Sequence, residues 1–137
     1  MAGCYVIFPK SLLMVVLLVV GNLGGGSSHD YCGKTRPNDE DNFPLYVDAV
    51  LQDLVENTQQ QYADAGTGDT TYTSIRPEGS AAGSEAANGT ATCYVGYTGD
   101  SCGTCLSNVQ KYLSPCREFT TGSGYYAHKC SIAFSQL

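Results

Sequence analysis

The chain has 137 residues, seven cysteines and a formal net charge of −6. Its thirteen acids against seven bases argue against nucleic acid and against anionic membranes as partners, because both are drawn in by a basic face. The length suits one domain, whose modest core gains from cross-links.

Near the N-terminus Lys10 precedes an unbroken apolar run, Leu12 to Val20, followed by Gly-Asn-Leu-Gly-Gly-Gly-Ser-Ser. A basic start, a short apolar run and a small-residue exit have the layout of a secretory signal peptide. A membrane span needs roughly 20 apolar residues, and extending this run back to Tyr5 would include Pro9, Lys10 and Ser11. We therefore expect residues 1–28 to be removed, with cleavage between Gly24 and Ser28. Residues 29–137 then form a secreted, extracellular domain with no stable membrane span. Lys10 leaves with the signal, which makes the remainder more acidic still.

In chain order, His29 to Arg36 reads as a short edge strand, stopped by Pro37 and the run Asn38-Asp39-Glu40-Asp41. Pro44 fits the first turn of a helix, on which Val47, Val50, Leu51, Leu54 and Val55 share a face until Asn57 and a Gln-rich stretch end it. Thr70 to Ile75 reads as a strand, and Arg76 to Ala87 as a long exposed loop. Asn88-Gly89-Thr90 is an N-glycosylation sequon beside that loop. Thr90 to Tyr97 reads as the next strand. Gly99-Asp100-Ser101 offers turn and N-cap chemistry for a second helix from Cys102 to about Leu113, stopped by Pro115. Tyr125 to Phe134 is the last expected strand, with Cys130, Ile132 and Phe134 alternating onto one face.

Cys4 lies in the signal segment, leaving Cys32, Cys93, Cys102, Cys105, Cys116 and Cys130. An even set in a short secreted domain reads as a disulfide framework and leaves fifteen pairings open. Cys102-Gly103-Thr104-Cys105 has the spacing of a redox or zinc motif. A redox role would want an α/β context, and zinc further thiolates or histidines, whereas the only histidines are His29 and His128. No metal or cofactor is expected.

From Cys93 to Cys105 the chain reads C-x8-C-x2-C. With the helix Phe43 to Thr58, the entry Asn88 to Cys93, the helix start Cys105 to Asn108 and the segment Tyr126 to Ser135, it resembles the ginkbilobin-like, or stress-antifungal, cysteine-rich domain of land plants. The resemblance implies an α+β fold, a five-stranded antiparallel sheet with two packed helices. It also implies three bridges, Cys32 to Cys116, Cys93 to Cys102 and Cys105 to Cys130. The interval from Cys105 to Cys116 is one residue shorter than the family's usual, and that from Cys116 to Cys130 is a little long. Members that bind mannose do so through an asparagine, an arginine and a glutamate. Those positions fall here on Gly33, Gly124 and Ser135, or with a one-residue slide on Lys34, Ser123 and Gln136. Neither set supplies the charge-assisted hydrogen bonds of the family site, so that site does not carry over.

Other residues offer weaker chemistry. Tyr94, Tyr97, Tyr125 and Tyr126 suit stacking on a pyranose face, though strand tyrosines usually pack. His29 lies next to the expected cleavage site and His128 on a strand beside Lys129, where a single histidine is more often an ordinary exposed residue than a general base. No serine lies in a nucleophile elbow, and Asp39-Glu40-Asp41 lacks the ligand intervals of a calcium loop. The expectation is a binding module and not an enzyme. It is an apoplastic defence or antifungal-type protein recognising extracellular carbohydrate, or alternatively a module that binds an extracellular protein domain as in receptor-kinase ectodomains.

Overall fold

A computed structural model of the protein describes residues 28–65, 68–94, 99–126 and 129–137. Residues 1–27 of the expected signal peptide, Cys4 and Lys10 included, lie outside them, as do Tyr97 and His128. The elements in chain order are β1 (Ser28–Cys32), α1 (Phe43–Ala65), β2 (Thr70–Arg76), β3 (Ala87–Cys93), α2 (Gly99–Leu113), a 3-10 turn (Ser114–Glu118), β4 (Thr121–Tyr126) and β5 (Cys130–Gln136).

The strands form one antiparallel sheet in the order β1-β4-β5-β3-β2. Alternation along each strand assigns the faces. Ala87, Gly89, Ala91 and Cys93 of β3, and Cys130, Ile132 and Phe134 of β5, are buried under the helices. α1 closes this face with Phe43, Val47, Val50, Leu51, Leu54, Thr58 and Tyr62, and α2 with Cys102, Cys105, Leu106, Val109 and Leu113. Each of the larger apolar side chains contributes about 1.5–3 kcal/mol by leaving water. Gly89 and Gly122 permit close approaches on this face. A Cβ on Gly89 would lie 2.6 Å from Val50 Cγ1 and 2.9 Å from Leu54 Cδ1, and one on Gly122 would meet the Phe134 ring.

The three bridges join Cys32 to Cys116, Cys93 to Cys102 and Cys105 to Cys130, with Cα separations of 4.9, 5.7 and 6.2 Å. They match the pairing the resemblance implied, and the two cysteines of Cys102-Gly-Thr-Cys105 have different partners.

Several boundaries differ from those read along the chain. β1 ends at Cys32 and not Arg36, although Gly33 still donates its N–H to the Thr121 carbonyl at 2.9 Å. α1 runs past Asn57 to Ala65. There the Asn57 amide bonds back to Asp53, and buried Thr58 and Tyr62 continue the apolar stripe. β3 covers Ala87–Cys93 and so begins before the expected Thr90, while the expected end at Tyr97 lies outside the described residues. The segment read as one last strand is a hairpin, with Tyr125 and Tyr126 on β4 and Cys130 to Gln136 on β5. Lys129 N–H closes its turn onto the Tyr126 carbonyl at 2.9 Å.

α1 is also tied to β2 by a polar knot around Asp53. Its Oδ2 accepts from Ser74 Oγ at 2.6 Å and lies 3.2 Å from Arg76 Nη2, with Tyr72 Oη at the limit of hydrogen bonding, 3.5 Å. Partial burial, and next the Asp53 charge, raise the Tyr72 pKa above its ordinary 10.0.

Candidate functional site

The second face of the sheet is the more exposed one, and its residues follow from the register. One row holds Thr121, Ser135, Asn88 and Ile75; the next holds Tyr31, Ser123, Ala133, Thr90 and Thr73; a third holds His29, Tyr125, Ser131, Thr92 and Thr71. None of these is an acid, a lysine or an arginine. Cross-strand hydroxyls pair along the β2–β3 half, Thr71 with Thr92 at 2.9 Å and Thr73 with Thr90 at 3.3 Å. Tyr94, just past β3, is half-buried with its hydroxyl 3.3 Å from Ser131 Oγ.

The β1–β4 half is aromatic. Tyr31 is 58% exposed and Tyr125 47% exposed. Because Tyr31 pairs with Ser123 and His29 with Tyr125, the two tyrosines are diagonal neighbours, a relation that spaces backbones by about 7–8 Å and lets long side chains meet. Ser123 and Thr121 place exposed hydroxyls beside them. Tyr125 was among the stacking candidates in the sequence, but Tyr31 was not. Short strands with exposed aromatics were the available signal, and only the pairing shows that both rings share the open face. Tyr126 instead lies half-buried against the core, with Lys129 Nζ 5.0 Å from its ring centroid.

Of the family's sugar positions, Gly33 and Ser135 both neighbour Thr121, whereas Gly124 lies apart. Gly33 is buried at the end of β1, and a Cβ there would run into Thr121 Oγ1, so Thr121 fills the space an asparagine would need. Gly124 lies on the covered face, opposite Asp30 and Ile132. Ser135 is on the open face, where its Oγ donates to Asn88 Oδ1 at 2.7 Å. Of the shifted set, Ser123 is on the open face, Lys34 is exposed beyond β1, and Gln136 ends β5 with its N–H on the Thr120 carbonyl.

A concavity of about 420 Å³ lies at the start of α1 and is lined by Arg36, Glu40, Asp41, Leu45, Arg117 and Glu118, together with Pro37 and Pro44. Its cations are engaged within the protein. Arg117 Nη1 lies 2.6 Å from Asp48 Oδ2, while Arg36 lies over the Phe119 ring at 5.3 Å and 3.9 Å from Glu118. At its rim Asp39 accepts from Asn42, side chain and backbone, and these hydrogen bonds lower its pKa. Among the described residues no three His, Cys, Asp or Glu side chains converge as metal ligands, and no helix is long and apolar enough to cross a membrane.

Comparison with known proteins gives the following. Residues 31–137 match the family described as salt stress response/antifungal. No curated protein matches the chain. Among solved structures, the chain is similar to the tandem DUF26 ectodomain of the Arabidopsis thaliana cysteine-rich receptor-like protein PDLP5, with a TM-score of 0.64 and 16% identity over 78% of this chain and 48% of that one. It is also similar to the tandem DUF26 ectodomain of PDLP8 from the same plant, with a TM-score of 0.57 and 18% identity over 82% of this chain and 48% of that one. The chain thus spans about half the length of either ectodomain, and at these identities the likeness concerns the fold.

Proposed function

The chain belongs to the salt stress response/antifungal family, and from that premise we propose that it is a secreted, apoplastic binding module that recognises neutral cell-wall glycans on the open face of its sheet. The observation that carries this reading is the exposed pair Tyr31 and Tyr125 beside the hydroxyls of Ser123 and Thr121. The C–H face of a pyranose is apolar and packs on the face of a tyrosine ring, while serine and threonine hydroxyls donate to and accept from the sugar's own. A broad uncharged face suits an extended neutral polysaccharide better than one terminal sugar, which needs convergent partners in a pocket. The extracellular placement is supported by the three disulfides and by the ectodomain structures the fold resembles.

The module acts by binding. The test is an array of yeast mannan, β-glucans and plant hemicelluloses probed with the oxidised protein and with Tyr31→Ala, Tyr125→Ala. A stacked ring contributes about 0.5–1.5 kcal/mol, so each substitution is expected to weaken glycan binding about two- to twelvefold. Binding that is unchanged in the double variant rejects the face. Silence of the unmodified protein on every glycan rejects carbohydrate as the ligand and favours an extracellular protein domain.

A further inference from the structure

The sequon Asn88-Gly89-Thr90 lies inside β3, and its register decides what a sugar attached there would meet. Asn88 and Thr90 are two residues apart and leave the strand on the same side, the open face, while Gly89 between them is buried under Val50 and Leu54. A one-residue shift would drive the sugar into the core. Asn88 Oδ1 is held by Ser135 Oγ at 2.7 Å on the β5 side, which turns Nδ2, the atom an N-linked sugar joins, away from β5. Across on β2 the paired residue is Ile75, a half-buried apolar side chain beside the threonines of the β2–β3 half.

We propose that Asn88 is an N-glycosylation site whose glycan stands on the open face and covers its β2–β3 half, over Ile75 and Thr73. The proposal rests on the secretory reading of residues 1–28 and is independent of the sugar-binding role of the tyrosines. In the transfer, a bond forms between Nδ2 and C1 of an oligosaccharide carried on a lipid diphosphate. The C1–O bond to the carrier breaks, and the amide proton leaves with the diphosphate. The attached glycan solubilises the uncharged face and prevents another sheet from packing flush on it. Ser123 lies two strands from Asn88 in the sheet order, about 10 Å at the usual strand spacing, so the tyrosine half stays accessible.

The full chain, with its own leader, is expressed in plant cells and recovered from the medium for intact-mass and glycopeptide analysis. The expected result is an N-glycan on Asn88 that disappears in Asn88→Gln and Thr90→Ala but persists in Thr90→Ser, which keeps the sequon. A secreted, three-disulfide protein with bare Asn88 overturns the site, and retention inside the cells overturns the leader reading beneath it. Hydroxyl-radical footprinting tests the coverage. Ile75 should oxidise at least about twofold faster in Asn88→Gln than in the glycoprotein, because the glycan is bulky, with Tyr112 as the unaffected reference. Equal rates at Ile75 overturn the coverage.

Discussion

The two faces of this sheet are built from the same strands by opposite rules. The covered face uses the inward residues of β3 and β5 with two helices and buried half-cystines, and contacts there are close enough that Gly89 admits no side chain. The open face uses the alternate residues of the same strands, which are threonines, serines, an alanine and an asparagine, with tyrosines toward β1. The covered face holds the fold, and the open face is the one we propose for recognition. Substitutions on one should change stability, and on the other binding.

The largest expected effect is on the covered side. Cys32 and Cys116 are 84 residues apart in sequence, and the chain-entropy argument assigns such a bridge about 4.5 kcal/mol. The bridge from Cys93 to Cys102, nine apart, is assigned about 2.5 kcal/mol on the same basis. Paired Cys→Ser variants in denaturant titrations should fall in that order; equal losses would mean that the reduced chain retains structure around the long loop. Leu54→Ala should cost about 2–5 kcal/mol by opening a cavity, whereas Thr92→Ala on the open face should cost about 0.2–1 kcal/mol, the worth of one cross-strand pair. A comparable loss at Thr92 would break the division between faces.

A smaller effect should come from the knot between α1 and β2. Asp53→Ala leaves Ser74 Oγ and Arg76 without their shared acceptor, a loss of about 1–3 kcal/mol. The smallest should be at high pH. The folded-state pKa of Tyr72 is raised above 10.0, so its contribution is complete below that value and is lost as pH rises toward the folded value. Stability should therefore fall less steeply with pH above 10 in Tyr72→Phe than in the parent. Identical slopes would remove Tyr72 from the account.

How far the sequence revealed all this depended on the element. The stripe from Val47 to Leu54 and the cysteines of α2 announced both helices and their buried sides, since apolar spacing is a direct record of packing. The helix end was misplaced because Asn57 and three glutamines look like a stop, while Thr58 and Tyr62, which extend the stripe, are separated by polar residues. β4 was hidden for a different reason. Thr121-Gly122-Ser123-Gly124 has a composition typical of a loop and becomes a strand because β1 and β5 pair on either side of it. The tyrosine pair was illegible because it depends on the register of two strands far apart in sequence. The family's sugar positions were read onto Gly33, Gly124 and Ser135, and the fold adds that a Cβ at Gly33 would meet Thr121 Oγ1.

The most direct test of the central claim is to locate the ligand on the protein. Isotope-labelled protein would be titrated with soluble β-glucan and mannan oligosaccharides while backbone amide shifts are followed. The account predicts that the largest changes fall in Ser28–Cys32 and Thr121–Tyr126, with α1 and α2 nearly silent. Changes centred on Arg36, Glu40 and Arg117 would move recognition to the charged cleft at the start of α1 and contradict the assignment of the open face.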